Sequence, residues 1–134
     1  MNPVSIDKNS IILDNLSDTN QNFKNLLTIK DSITYNNCNN LDITIESTIN
    51  KLVIKNTRNA VININKTISG IDIINSNNIE IITNKYPIYY LLIEDSEDIT
   101  IILNNKNFKS TEINIVDSIK IYFKNHNKKI FFKL

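Results

Sequence analysis

Along most of this chain apolar and polar positions alternate with the strand period of two. In "IDIINSNNIEI", residues 71 to 81, Ile71, Ile73, Ile79 and Ile81 keep that alternation on either side of a polar corner, Asn75 to Asn78. A tight hairpin would place Asn-Gly or Asp-Gly at such a turn, and neither is present. Three further segments align with it: "ITYNNCNNLDI" (33 to 43), "LVIKNTRNAVI" (52 to 62) and "LLIEDSEDITI" (91 to 101). Their starts lie about 19 to 20 residues apart, a period that marks solenoids. "INIVDSIKI" (113 to 121) is a fifth, shorter copy.

The apolar positions fall into columns. The first strand of each repeat gives Ile33/Tyr35, Leu52/Ile54, Ile71/Ile73, Leu91/Ile93 and Ile113/Ile115. The second gives Leu41/Ile43, Ala60/Ile62, Ile79/Ile81, Ile99/Ile101 and Ile119/Ile121. A weaker third column runs Ile49, Ile68, Ile88, Phe108. Each strand matches one a full repeat later better than its neighbour in sequence. That pattern predicts an all-β fold, a right-handed parallel β-helix of about five to six rungs. At ~3.3 Å per residue a rung has a perimeter near ~60 Å, which suits three sides.

The polar corner therefore joins one side of a rung to the next. Asn37, Asn56, Asn75, Asp95 and Asp117 stack as one column, and Cys38, Thr57, Ser76, Ser96 and Ser118 stack beside it. Side-chain amides in such a stack can hydrogen-bond along the axis. With the apolar columns inside, Val53, Ile74, Ile82, Leu92, Ile102, Val116 and Tyr122 point outward. A contiguous patch of such residues would mark a partner surface. Residues 1–134 read as one domain: an irregular cap or first rung over 1–25, rungs over 26–123, and a tail over 124–134. The tail is either a final strand or a segment given to a partner.

Composition narrows the function. Ile and Asn each make up roughly a fifth of the chain, far above ordinary usage. Fifteen basic and 14 acidic residues leave a formal net charge of +1, which gives no reason to expect nucleic acid or an anionic membrane as partner. No apolar run approaches the ~20 residues of a membrane span, and the first residues lack the pattern of a secretory signal. Cys38 is the one cysteine, so a reducing, cytoplasmic setting is expected. His126 is the one histidine and Gly70 the one glycine. No metal site, phosphate-binding loop or nucleophile elbow can be assembled from these. Glu94, Asp95, Glu97 and Asp98 read as a solvated acidic corner. Binding, with no cofactor, is the expected chemistry, not catalysis.

Several stretches resemble a known family. "ITYNNCNNLDI", "IINSNNIEI", "KYPIYYLLIEDSEDITIIL" and "STEINIV" are similar, in order and spacing, to the C-terminal domain of adenylyl cyclase-associated protein. Asn37, Cys38, Asn75, Ser76, Pro87, Ser110 and Glu112 fall at the family's landmarks, and the resemblance covers roughly residues 26 to 123. It implies a parallel β-helix that binds monomeric actin, prefers ADP-actin and promotes exchange of ADP for ATP. It also implies a cytoskeleton-associated protein, contact through exposed strand faces and the C-terminal end, and a homodimer formed by exchange of a C-terminal hairpin. The family's strand-exchange stretch has no match here; "HNKKIFFKL" stands in its place. The tubulin-folding cofactor C domain is similar in fold and stimulates GTP hydrolysis through an arginine after its Cys corner. Asp42 occupies that place here, and Arg58, the one arginine, lies a rung later. That reading ranks second, and a structural β-helix scaffold third.

Actin is acidic, so its partner surface should offer cations around an apolar centre. Val53 and Ile74 supply the apolar part, and Lys51, Lys55, Lys66 and Lys85 the charge. Lys124, Lys128 and Lys129, with Phe131 and Phe132, form a basic and aromatic end which the resemblance directs toward actin's nucleotide cleft. The alternative surface lies around Ile102 and Tyr122.

Overall fold

The computed structural model describes residues 4–24 and 27–134. Most of the chain is strand, wound into a β-solenoid of about six turns. One long side stacks, in order, β2 (Ser10–Asp14), β4 (Ser32–Asn36), the C-terminal half of β5 (Asn39–Lys55), the C-terminal half of β6 (Arg58–Ile74), β8 (Tyr90–Glu94) and β10 (Glu112–Val116). The second long side stacks β3 (Ser17–Phe23), the N-terminal halves of β5 and β6, β7 (Asn77–Ile82), β9 (Glu97–Ile102) and β11 (Ile119–Lys124). All of these pairings are parallel. Two antiparallel strands flank them: β1 (Val4–Asp7) covers β2, and β12 (Ile130–Lys133) covers β11. The third side is short. It holds the bends of β5 and β6, the connection after β7, and the single-turn helix α1 (Asn105–Phe108).

The alternation works as the columns predict. Ile33, Leu52 and Ile71 are fully buried, as are Ile43, Ile62, Ile81 and Ile99. Parallel pairing puts identical columns in register, so each isoleucine packs on the isoleucine of the next rung. Tyr35 and, near the C-terminal end, Phe123 are the large aromatic exceptions in this aliphatic interior. Of the two, Tyr35 carries a polar group. It is fully buried, and its hydroxyl donates to Gln21 Oε1 at 2.9 Å.

The corners explain the asparagines. Asn15, Asn37, Asn56, Asn75, Asp95 and Asp117 have positive φ, and so do Asp18, Asn40, Asn59, Asn78, Asp98 and Lys120 three residues later. These φ values run from 47° to 61°, the left-handed region that Asn and Asp tolerate better than other side-chain-bearing residues. Each corner thus needs two left-handed residues, and the chain meets the need without glycine. The side chains then tie rung to rung: Asn75 Nδ2 donates to Asn56 Oδ1, Asn56 Nδ2 to Asn36 Oδ1, and Asn36 Nδ2 to Asp14 Oδ1. A parallel ladder joins Asn78 to Asn59 and Asn59 to Asn39.

Between the ladders the small residues form a buried spine. The hydroxyls of Thr57, Ser76, Ser96 and Ser118 each donate to the carbonyl two residues back, at 2.8 to 2.9 Å. The same oxygens accept the amides of Cys38, Thr57, Ser76 and Ser96 from the preceding rung. Cys38 takes the spine position in its own rung, buried, with Sγ 3.3 Å from Asn36 O.

Residues 10–23 take the first-rung alternative and pair in regular parallel register with the rung that follows. Three expectations change. Ile68 faces solvent, and Thr67 takes its place inside, because β6 carries one extra residue between the partners of Ile49 and Lys51. That insertion offsets an opposite shift just before it, between Ile45 and Thr48. Ile102 is buried, not outward: alternation stops there, and Ile101, Ile102 and Leu103 are all inside as the chain turns toward α1. Ile119 is exposed although its column is internal, because β12 covers only the later part of β11. The tail, 124–134, folds back as a final strand on its own chain, and β11, β12 and α1 bring Phe108, Phe123, Phe131 and Phe132 into an edge-to-face cluster with centroids 5.0 to 5.8 Å apart.

Gly70 is the one glycine, with φ +97°, and Tyr90 crosses directly above it. A Cβ there would stand 2.1 Å from the Tyr90 carbonyl oxygen. Gly70→Ala should cost at least ~2 kcal/mol, read from denaturant unfolding, since both the backbone angle and the next rung oppose it. Ile73 lies between Ile54 and Ile93 in one column. Ile73→Asp should cost more than ~3 kcal/mol by burying an unpaired carboxylate; an unchanged melting curve would show the column to be out of register. Burial, and then the neighbouring Cys38, pushes the Tyr35 phenol well above its ordinary range, and burial raises the Cys38 thiol. Both stay protonated in the folded chain but ionise in the unfolded one near ~8.5 and ~10. Stability should therefore be complete below ~pH 8.5 and fall above it, more steeply past ~pH 10. Tyr35→Phe should remove the upper part of that fall in melting temperature.

Candidate protein-binding surfaces

Among the described residues no three His, Cys, Asp or Glu side chains gather as a metal site. Cys38 is buried in the spine and its thiol is held protonated by that burial. His126 is exposed, and its Nε2 lies 2.7 Å from the Thr83 carbonyl, a hydrogen bond that needs the proton on Nε2. It pins the turn before β12 to the third side. Arg58 stands on the corner in the exposed column Asn39, Arg58, Asn77, Glu97, beside a polar groove floored by Ser76 and Ser96. Asp95 and Asp98 are two of the left-handed corner residues, so backbone geometry accounts for their positions.

The eleven residues expected to bind a partner separate into three groups. Lys51, Val53 and Lys55 alternate outward on β5, and Ile74 stands beside Lys55 on the next rung. This group forms one patch on the first long side. Its charge is smaller than expected, because Lys51 Nζ lies 2.9 Å from Asp72 Oδ2. Asp72 sits opposite Val53 in the register, and strict alternation in "IDII" already places it outward. Leu92 continues the apolar stripe beside Asp72.

Lys66 and Lys85 are elsewhere. Lys66 pairs with Thr48 at the bend of β6, and Lys85 lies in the connection after β7. Their ammonium groups converge on the Tyr86 ring, 4.9 and 5.4 Å from its centroid. The residue missed from sequence is Tyr86; the aromatic cluster in "KYPIYY" was its signal.

The third group lies at the C-terminal end. Lys124 stacks over Tyr122 at 5.7 Å. Lys128 and Lys129 are exposed on a turn organised by Asn125, whose Oδ1 accepts from the amides of Asn127 and Lys129. Phe131 and Phe132 are not free-standing contacts: both rings pack on Phe108, and Phe132 also meets Phe123. Phe132, Leu134 and Ile119 still leave substantial apolar surface at this end. Of the alternative surface, Ile102 is buried and Tyr122 half-buried.

Among the described residues no helix is long and apolar enough to cross a membrane. No curated protein matches the chain. The crystal structure of cyclase-associated protein from Cryptosporidium parvum is similar in fold, with a TM-score of 0.85 over 96% of this chain and 80% of that one, at 18% sequence identity. A family model described as "Adenylate cyclase associated (CAP) C terminal" matches residues 3–129, nearly the whole solenoid, and implies an actin-related function. The chain belongs to the adenylate cyclase-associated protein C-terminal family.

Proposed function

We propose that this domain binds monomeric actin, prefers the ADP-bound form and promotes exchange of its nucleotide, as a non-enzymatic regulator of actin turnover. Family membership across residues 3–129 carries the reading. The patch of Lys51, Val53, Lys55 and Ile74 fits it physically: apolar β-branched area between cations, on a flat, in-register sheet that costs little to order. The C-terminal turn supplies the second contact through Lys124, Lys128 and Lys129, with the Phe131 and Phe132 rings holding that turn against the solenoid. Exchange of the β11–β12 hairpin between two copies would recreate the same pairing in a homodimer.

The test is release of a fluorescent nucleotide from ADP-actin. The chain should accelerate it while leaving GTP hydrolysis by small GTPases unchanged. Replacing Lys51 and Lys55 with Glu should weaken actin binding by ~1 to 3 kcal/mol, and the melting temperature serves as the control for folding. Replacing Lys128 and Lys129 with Glu should lower exchange more than binding. Unchanged actin affinity at low salt after the Lys51 and Lys55 reversal would exclude the first patch. GTPase stimulation abolished by Arg58→Ala would instead favour the cofactor C reading, since an arginine finger contributes ~10³-fold or more.

A further inference from the structure

The third side of the solenoid carries a second basic surface of different character. Lys51 is neutralised by Asp72, and Lys120 approaches Glu97 at 3.6 Å. Lys66 and Lys85 have no carboxylate within 4.0 Å among the described residues, yet both ammonium groups sit over the one ring of Tyr86. Two ammonium groups gathered at one ring give this surface a local positive charge that an anion would meet. Ile68, two residues after Lys66, and Tyr89, three after Tyr86, are 46% and 37% exposed.

The segment bearing Lys85 and Tyr86 leaves the sheet but is fixed at several points. The Thr83 amide donates to Ile102 O. The Lys85 carbonyl accepts from the buried Asn107 side chain at 3.2 Å. Ile88 is buried, and Tyr90 is seated over Gly70. The site is thus ordered before anything binds, which lowers the entropy lost on binding.

The geometry points to a docking site for an acidic peptide segment bearing an aromatic or large apolar residue, with carboxylates on Lys66 and Lys85 and the apolar side chain on Ile68 and Tyr89. Unpaired charge fixes the sign of the occupant. Exposed tyrosine and isoleucine favour a peptide over a bare anion, and rings that already lie against lysines favour neighbouring carboxylates. The site lies apart from the Lys51 patch and stands whether or not the actin reading holds.

The probe is a short fluorescein-labelled polyglutamate peptide with a central phenylalanine, titrated against the full chain at low salt and followed by anisotropy. Saturable binding is expected, and a matched polyglutamine peptide should not bind. Replacing Lys66 and Lys85 with Gln should reduce affinity at least ~10-fold, and Tyr86→Ala should also reduce it. The Lys51 and Lys55 reversal should leave peptide binding intact, which separates this site from the proposed actin surface. Circular dichroism of each variant distinguishes loss of binding from loss of fold. Absence of saturable binding, or equal binding by the folded Lys66→Gln/Lys85→Gln chain, overturns the proposal. Tighter binding of polyuridylate or polyphosphate through the same two lysines overturns it in favour of a phosphate site.

Discussion

One hydroxyl per rung holds this solenoid in register. A turn buried beside a parallel sheet leaves backbone amides that no strand can reach, and each would cost about 1–3 kcal/mol unpaired. Thr57, Ser76, Ser96 and Ser118 meet that need from inside. Each oxygen accepts an amide from the preceding rung while its proton goes to a carbonyl of its own. Only a short side chain with both a donor and an acceptor fits. Cys38 replaces the hydroxyl at the start of the line, a weaker group in the same shape.

The asparagines follow from the same corner. To present the spine residue inward the chain turns sharply on either side of it, and both turns need left-handed backbone. Glycine would permit the geometry but would add freedom to the unfolded chain and offer no side chain to tie rungs together. Asn75, Asn56, Asn78 and Asn59 do both tasks, forming the turn and bonding along the axis. The surfaces available for partners are what remains: flat strand faces with alternating outward residues, a bent third side where lysines and tyrosines collect, and the basic C-terminal turn.

Much of this was legible because a repeat tests itself. Ile54, Ile73 and Ile93 could be assigned inward with no structure, since every copy gives the same answer. The first corner column and the Ser/Thr line were readable for the same reason. The second left-handed column, Asn40, Asn59 and Asn78, was visible in the letters but not understood, because spacing alone does not reveal a sign of φ. Where a copy departs from the others, reading failed. Ile68 and Thr67 exchange roles through one extra residue, Ile102 is covered where alternation ends, and Ile119 lies partly beyond the last cover. The candidate surface suffered similarly. Lys51 and Lys55 could be grouped by alternation, whereas Lys66 and Lys85 lie near bends, where the sequence does not state which way a side chain points.

The spine has a direction, and that has a consequence for how the chain is made. Each spine amide, of Cys38, Thr57, Ser76 and Ser96, is satisfied by a hydroxyl 19 to 22 residues later, never by an earlier one. On the ribosome, where the N-terminal end emerges first, a completed rung still carries an open donor until the following corner has been synthesised. The growing solenoid is always one coil short of finished, and each new coil closes the one before it.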